Sequence, residues 1–445
     1  MIQMNVHQIS AIVGGSMVGK EARIRGVVMD SRADCAGRLF VALPGERVDG
    51  HDWCQQAVAK GAAAVLVARP VEVDVPQVIC EDTLVALQAL AFAWIRQVPA
   101  KVIGITGSNG KTTVKNMLYS VLAQRHQCSA TAGNYNNEIG VPLSLLEVSN
   151  TDEFAVIEMG AAKLGDIRLL AEMANPDMTV ITNVSQAHLG RFGSEQNIAS
   201  GKGEIFQALS STGVAIINVD SSYADMWRQS TQARVVTFGE SETADYRLLE
   251  SAGGFDIRYG DSLRTPVELP VLGKHNFINA CTVFAMAREL GLSEPEIISG
   301  LQQFIPEKGR LNRFKLTEKL TVIDDSYNAN PASLKAAIDV LSAQKGPTTL
   351  VVGDMAELGE SAGEWHRQVG LYAGQQCISQ VLAVGQYAPQ VCQGYGQLCH
   401  PFNAVSDLLE HLSTKHLAEG TVLVKGSRSM HLEQVVEYLT SGAKQ

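Results

Sequence analysis

Lys101-Val-Ile-Gly-Ile-Thr-Gly-Ser-Asn-Gly-Lys-Thr-Thr-Val-Lys-Asn-Met-Leu-Tyr-Ser-Val-Leu122 reads as a strand, a glycine-rich turn and a helix in direct succession. Lys101 to Thr106 is a short apolar run of buried-strand type, and from Thr112 onward Val114, Met117, Leu118, Val121 and Leu122 recur on one helical face. Between them, Gly107, Ser108, Asn109 and Gly110 form a loop whose backbone N–H groups can close around phosphate oxygens at a helix N-terminus. Lys111 is placed to bridge the β and γ phosphates of a nucleotide, Thr112 to offer its hydroxyl to magnesium, and Thr113 completes the loop. The strict phosphate-loop spacing G-x-x-x-x-G-K-[ST] is not met, because Ile105 stands where its first glycine belongs and the glycines fall at 104, 107 and 110. The alternative is a tight turn with no ligand.

Working outward, the chain divides into three regions, and its 445 residues exceed what one ordinary core holds. Region 1–82 has short β-like runs at Arg38 to Ala42, Ala64 to Ala68 and Gln77 to Cys80, and reads as a small α/β domain. Region 83–312 opens with a helix, Thr83 to Arg96, behind an Asp82 cap. It continues through the phosphate loop to strands at Ala155 to Met159, Met178 to Asn183 and Val214 to Asn218. That alternation predicts a parallel-sheet ATPase domain. Region 313–445 repeats it with strands at Thr321 to Asp324, Thr349 to Gly353, Val381 to Gly385 and Thr421 to Lys425, and a helix over Ser333 to Leu341. Polar residues cluster after its strand ends, as in a Rossmann-like domain. The expected fold class is therefore α/β in three domains.

Composition narrows the function classes. Apolar residues make up 46% and charged residues 18%, and no run approaches the roughly 18 apolar residues of a membrane span. The first twenty residues lack the basic start and small-residue cleavage site of a signal peptide, so a cytoplasmic protein is expected. A net charge of −10 argues against nucleic acid as the main partner. Eight cysteines without a CxxC pair predict reduced thiols rather than a disulfide frame. Cys392, Cys399 and His400 form a loose cluster in which a metal site is not expected.

The run Thr-Gly-x-x-Gly-Lys-Thr-Thr resembles the Mur ligase superfamily, which also includes folylpolyglutamate synthase, and the likeness extends over the whole chain. It is carried by Gly133-Asn-Tyr-Asn-Asn-Glu-Ile-Gly-Val-Pro142, Asp325-Ser-Tyr-Asn-Ala-Asn-Pro331, Val352-Gly-Asp-Met-Ala-Glu-Leu-Gly359 and Lys425-Gly-Ser-Arg-Ser429.

The resemblance implies roles for further residues. Glu158, at the end of a strand, and His188, in a loop, match residues that bind a second magnesium ion alongside the one at Thr112. On its own, His188 reads as a surface or packed histidine. Lys202, in Gly201-Lys-Gly-Glu-Ile205, resembles a lysine carbamoylated by carbon dioxide, whose carbamate helps hold that metal. Gly201 departs from the alanine usual before it, and taken alone a lysine in this glycine-rich stretch reads as a solvated surface residue. His275, Asn276 and Asn279 resemble an adenine-binding segment, which by itself reads equally as a capped helix start. Arg310, Asp325, Tyr327 and Asn330 resemble residues that reach ATP from the third domain. For the sugar nucleotide the likeness points to Ser31, Arg32, the Leu39 to Gly45 segment, Asp49 and His51, with Asn134, Asn136 and Asn137 as further substrate contacts.

The implied activity is that of an ATP-dependent ligase of peptidoglycan synthesis. It phosphorylates the terminal carboxylate of a UDP-N-acetylmuramoyl-tripeptide and joins D-alanyl-D-alanine to the resulting acyl phosphate. ATP, two magnesium ions and a monomeric chain are expected. The competing readings are a relative that adds a single amino acid, or glutamate to folate, and a nucleotide-binding regulator without chemistry; the latter would be expected to lack Lys111, Glu158 or His188.

Overall fold

A computed structural model of the chain describes residues 1–45, 48–185, 189–252, 254–260, 263–396, 398–415 and 417–441. The phosphate-loop strand, Lys101–Thr106, lies inside a nine-stranded sheet, between Met178–Ile181 on one side and Phe154–Glu158 on the other. Both neighbours run parallel to it. After Lys101–Thr106 the chain crosses to Cys128–Ala130 at the sheet edge, returns to Phe154–Glu158, then moves to the opposite side for Met178–Ile181, Val214–Asn218 and Arg234–Gly239. Strand order thus reverses at Lys101–Thr106. In an open α/β sheet the crevice above such a reversal is where ligands bind.

The strands form because Ile103, Ile105, Val156, Val180 and Ile216 are fully buried between two helical layers. Each such side chain contributes roughly 1.5–3 kcal/mol relative to exposure. On one face the helix Lys111–Leu122 packs its buried Val114, Met117, Leu118, Val121 and Leu122. On the other, the helix Thr83–Ile95 starts where the Asp82 carboxylate accepts the N–H groups of Leu84 and Val85. The sheet's far edge departs from the expected parallel pattern: Tyr246–Ser251, Gly254–Tyr259 and Leu263–Val267 form an antiparallel meander.

A five-stranded sheet, Ser16–Val18, Gln77–Ile79, Ala64–Val67, Leu39–Val41 and Val27–Val28 in spatial order, holds the N-terminal region. It shares a continuous core with the middle region, because Ile2, Ile9 and Ile24 pack in one cluster with Leu87, Trp94 and Leu145. The C-terminal sheet runs Asn312–Lys315, Leu320–Asp324, Gly420–Lys425, Thr348–Gly353, Gln380–Val384 and Cys399–Phe402, parallel except for its first pair. The helix Pro331–Ser342 opens behind the Asn330 cap, with proline in its first turn.

One expectation and one alternative reading are corrected. Cys392 and Cys399 are joined in a disulfide, where reduced thiols were expected; the turn from the helix Ala388–Tyr395 into the strand Cys399–Phe402 brings their Cα atoms to 5.2 Å. Lys202 is not in a glycine-rich surface turn but inside the helix Glu195–Gln207, where Gly201 and Gly203 let Phe192 and Trp227 approach the backbone. Among the described residues no helix is long and apolar enough to cross a membrane.

Candidate active site

A cleft of about 910 Å³ opens above the strand reversal, walled by the middle and C-terminal regions. The phosphate loop forms its floor. Gly107 has φ +151°, and a Cβ there would lie 1.9 Å from Thr182 Oγ1; Gly110, at φ +79°, faces Asn279 in the same way. Only glycine lets this loop press against the neighbouring strand end and helix. The residues after Ile181 hold it there: Asn183 O and Oδ1 accept the N–H groups of Ser108 and Asn109, and Ser185 bonds both side chains. Lys111 Nζ donates to Gly107 O at 2.7 Å, curled over the loop. Burial pushes its pKa down, the charge of Glu158 opposing this.

Glu158 ends the strand beside the loop and is 2% exposed. Its Oε1 accepts the Asn136 amide at 2.8 Å, whereas Oε2 has no hydrogen-bond donor. A buried carboxylate oxygen left without a donor fits a cation. With the Thr112 hydroxyl it offers the sparse, all-oxygen set suited to magnesium, which keeps several waters. Among the described residues no cluster of three His, Cys, Asp or Glu side chains forms a denser metal site. Lys202 also lines the cleft, buried and without a hydrogen-bond or ion-pair partner among the described residues. Burial, reinforced by the nearby Lys111 charge, pushes its pKa well below the ordinary lysine value. Both effects favour the neutral form of the amine. His188 lies outside the described residues.

The C-terminal region reaches across, together with the segment just before its first strand that carries Arg310. Arg310 Nη2 donates to Thr112 Oγ1 at 3.1 Å while its guanidinium lies 4.2 Å over the Tyr327 ring. Asn330 Nδ2 donates to Asn109 Oδ1 at 2.7 Å. Asp325 pairs with Lys425 at 2.7 Å, inside the cleft wall. Below them the helix Lys274–Glu289 presents His275, Asn276 and Asn279 to the cleft. Burial holds His275 down at about 4, with Lys425 adding to the effect, so its imidazole is neutral at pH 7. Arg191 of the middle region also pairs with Glu357 at 2.9 Å.

Asn134, Asn136 and Asn137 line the cleft next to Glu158. Ser31, Arg32, Gly45, Asp49 and His51 do not. His51 in particular is turned inward, its Nδ1 bonded to Asp49 at 2.6 Å and its Nε2 accepting the Ala68 N–H at 2.8 Å. Both ring nitrogens are used within the domain, so the side chain supports the fold. Arg32 pairs with Asp30 at the surface, and Ser31 bonds Gln56. The sequence reading missed Thr182, Asn183 and Ser185, whose signal is a polar run directly after a strand. It also missed Lys115, a cation set among the apolar positions of its helix.

Comparison with known proteins agrees with this architecture. Residues 23–105 match the family described as "Mur ligase family, catalytic domain", 105–287 the Mur ligase middle domain, and 309–428 the "Mur ligase, glutamate ligase domain". The UDP-N-acetylmuramoyl-tripeptide–D-alanyl-D-alanine ligase of Escherichia coli is 39% identical, with 99% of each chain covered. A crystal structure of MurF from Acinetobacter baumannii superposes with TM-score 0.91 at 33% identity, covering 99% of both chains. MurF from Thermotoga maritima in complex with ADP gives TM-score 0.82 at 29% identity, covering 94% of this chain and 98% of that one.

Proposed function

The chain belongs to the Mur ligase family, and from that premise we propose that it joins D-alanyl-D-alanine to UDP-N-acetylmuramoyl-tripeptide, with ATP cleaved to ADP and phosphate. The product is the pentapeptide precursor of peptidoglycan, made by a monomeric cytoplasmic enzyme. The observation that carries the reading is the convergence of Lys111, the donor-free Glu158 oxygen and the unpartnered Lys202 on one cleft beneath Arg310. We assign regions 1–82, 83–312 and 313–445 to the sugar nucleotide, ATP and the incoming dipeptide. Ser31, Arg32 and the Gly45 turn remain the N-terminal candidates for the sugar nucleotide.

A carboxylate resists amines because its leaving group is poor. Transfer of the γ-phosphoryl group to the tripeptide carboxylate forms an acyl phosphate. Attack by the dipeptide amine forms the C–N bond through a tetrahedral intermediate, a proton is lost and phosphate departs. The loop N–H groups and Lys111 hold the phosphates in line, and Arg310 adds positive charge once the C-terminal region has closed. Closure must bring amine and acyl carbon to about 3–3.5 Å. Thr112 and Glu158 are the oxygens that would hold magnesium, with His188 and Lys202 as further candidates. Bound magnesium would neutralise charge on the phosphoryl group in transfer. The Lys202 amine, in its neutral form, adds to carbon dioxide and loses a proton, becoming an anionic carbamate. His275, Asn276 and Asn279 face the base, and Asp325, Tyr327 and Asn330 the ribose side.

The test is phosphate release and mass spectrometry of the product with ATP, the tripeptide nucleotide and D-alanyl-D-alanine. Turnover with L-lysine, diaminopimelate or L-glutamate but not with the dipeptide would remove the assignment. Supplying lysine- and diaminopimelate-containing tripeptides in parallel identifies the third residue.

A further inference from the structure

Lys115 stands one helical turn beyond Lys111 on the helix Lys111–Leu122, with its side chain 3% exposed. It does not line the cleft. Its Nζ donates to Thr131 O at 2.7 Å and to Gly133 O at 3.3 Å, and lies 3.9 Å from Glu158 Oε2. Those two carbonyls begin the segment that carries Asn134, Asn136 and Asn137 into the cleft. The same segment is tied to the strand end beyond it: Glu158 N donates to Thr131 Oγ1, Asn136 Nδ2 to Glu158 Oε1, and Gly160 N to Asn136 O.

We propose that Lys115 is a positioning residue that fixes the asparagine loop to the nucleotide-gripping helix, so that the acceptor substrate meets a loop already in register with the phosphates. An ammonium carries three tetrahedral donors, two of which meet the Thr131 and Gly133 carbonyls while its charge lies 3.9 Å from the Glu158 carboxylate. A planar guanidinium cannot reproduce that arrangement, and an apolar side chain would leave the buried Thr131 carbonyl without its donor and remove the cation beside Glu158. Because Lys115 stands behind the wall, its loss acts on the acceptor through the loop, while the phosphate loop keeps its own bonds to Thr182, Asn183 and Ser185. The assignment of the loop to the acceptor rests on the function proposed above.

The experiment titrates UDP-N-acetylmuramoyl-tripeptide and ADP separately into the full-length wild type, Lys115→Met and Lys115→Arg by calorimetry. Lys115→Met is expected to weaken the tripeptide nucleotide about tenfold or more and to leave ADP within about twofold, the loss of charge-assisted hydrogen bonds setting the scale. Lys115→Arg, which keeps the charge and some of the donors, should fall between. If Lys115→Met does not fold, Lys115→Gln, which keeps amide donors for the Thr131 and Gly133 carbonyls, should show the same selective loss in milder form. Equal weakening of both ligands, or wild-type affinity for the tripeptide nucleotide in the folded variant, overturns the proposal. A wild type that binds ADP but no tripeptide nucleotide sinks the functional reading itself, and this inference with it.

Discussion

Replacing Lys202 by methionine should make the protein more stable and inactive at once. The Lys202 side chain is 2% exposed, meets no anion among the described residues, and has Lys111 as its nearest named charge. Folding must therefore either strip a proton from this amine or bury a cation beside another cation, and each course costs free energy. Methionine has a similar length and no charge. Exchanging a buried ion pair for apolar groups of like volume is neutral or gains up to about 4 kcal/mol, and an unpaired buried amine has no partner to lose; each kcal/mol moves Tm by roughly 2–4 °C for a domain of 150–250 residues. A Tm several degrees higher is expected in thermal melts run in carbon-dioxide-depleted buffer, with phosphate release abolished. The same melts test the carbamate. Bicarbonate should raise the wild-type Tm, because a modification formed only in the native state stabilises it, and should leave Lys202→Met unmoved. A lowered Tm for Lys202→Met would mean that the amine has a stabilising partner in the fold, and equal bicarbonate shifts in both proteins would remove the carbamate.

Three further outcomes follow from the geometry. His275 titrates near 6.5 when unfolded and at about 4 when folded, so below pH 6.5 the unfolded state binds the extra proton. Stability should fall by on the order of 3 kcal/mol between pH 6.5 and 4, and denaturant titrations of His275→Gln across that range should lack this component. Arg310→Lys removes the planar contact with Tyr327 and the reach to the Thr112 hydroxyl; steady-state kinetics should show kcat lower by about 10²–10³ with ATP KM changed far less. Breaking Cys392–Cys399, seven residues apart, should cost the C-terminal region roughly 2–3 kcal/mol by the loop-entropy rule. Urea curves with and without reductant should therefore differ for the wild type and coincide for Cys392→Ser/Cys399→Ser.

What could be read from the chain follows the range of the physics that determines each feature. The strand Lys101–Thr106, the glycine turn and the helix behind it depend on spacing and backbone freedom within some twenty residues, and the structure reproduces them with the helix starting one residue earlier, at Lys111. The Asp82 cap is also as read, and four C-terminal strands fall within a residue of their expected bounds, whereas Asn312–Lys315 and Cys399–Phe402 were not read. Features settled by partners far along the chain were not legible. The strands Tyr246–Ser251, Gly254–Tyr259 and Leu263–Val267 carry weak local signals and exist through pairing at a sheet edge. His51 looked available to a ligand until the Ala68 N–H and the Asp49 carboxylate used both of its nitrogens. Lys115 shows the limit most clearly. A cation among Val114, Leu118 and Leu122 contradicts the apolar pattern of its helix, and such a contradiction marks a residue kept for a partner. The contradiction is visible in sequence, but the partners Thr131, Gly133 and Glu158 are 16, 18 and 43 positions away, and only the parallel pairing of Phe154–Glu158 with both Lys101–Thr106 and Cys128–Ala130 brings them together. The local break in pattern therefore locates the residue, and the topology of the sheet supplies its role.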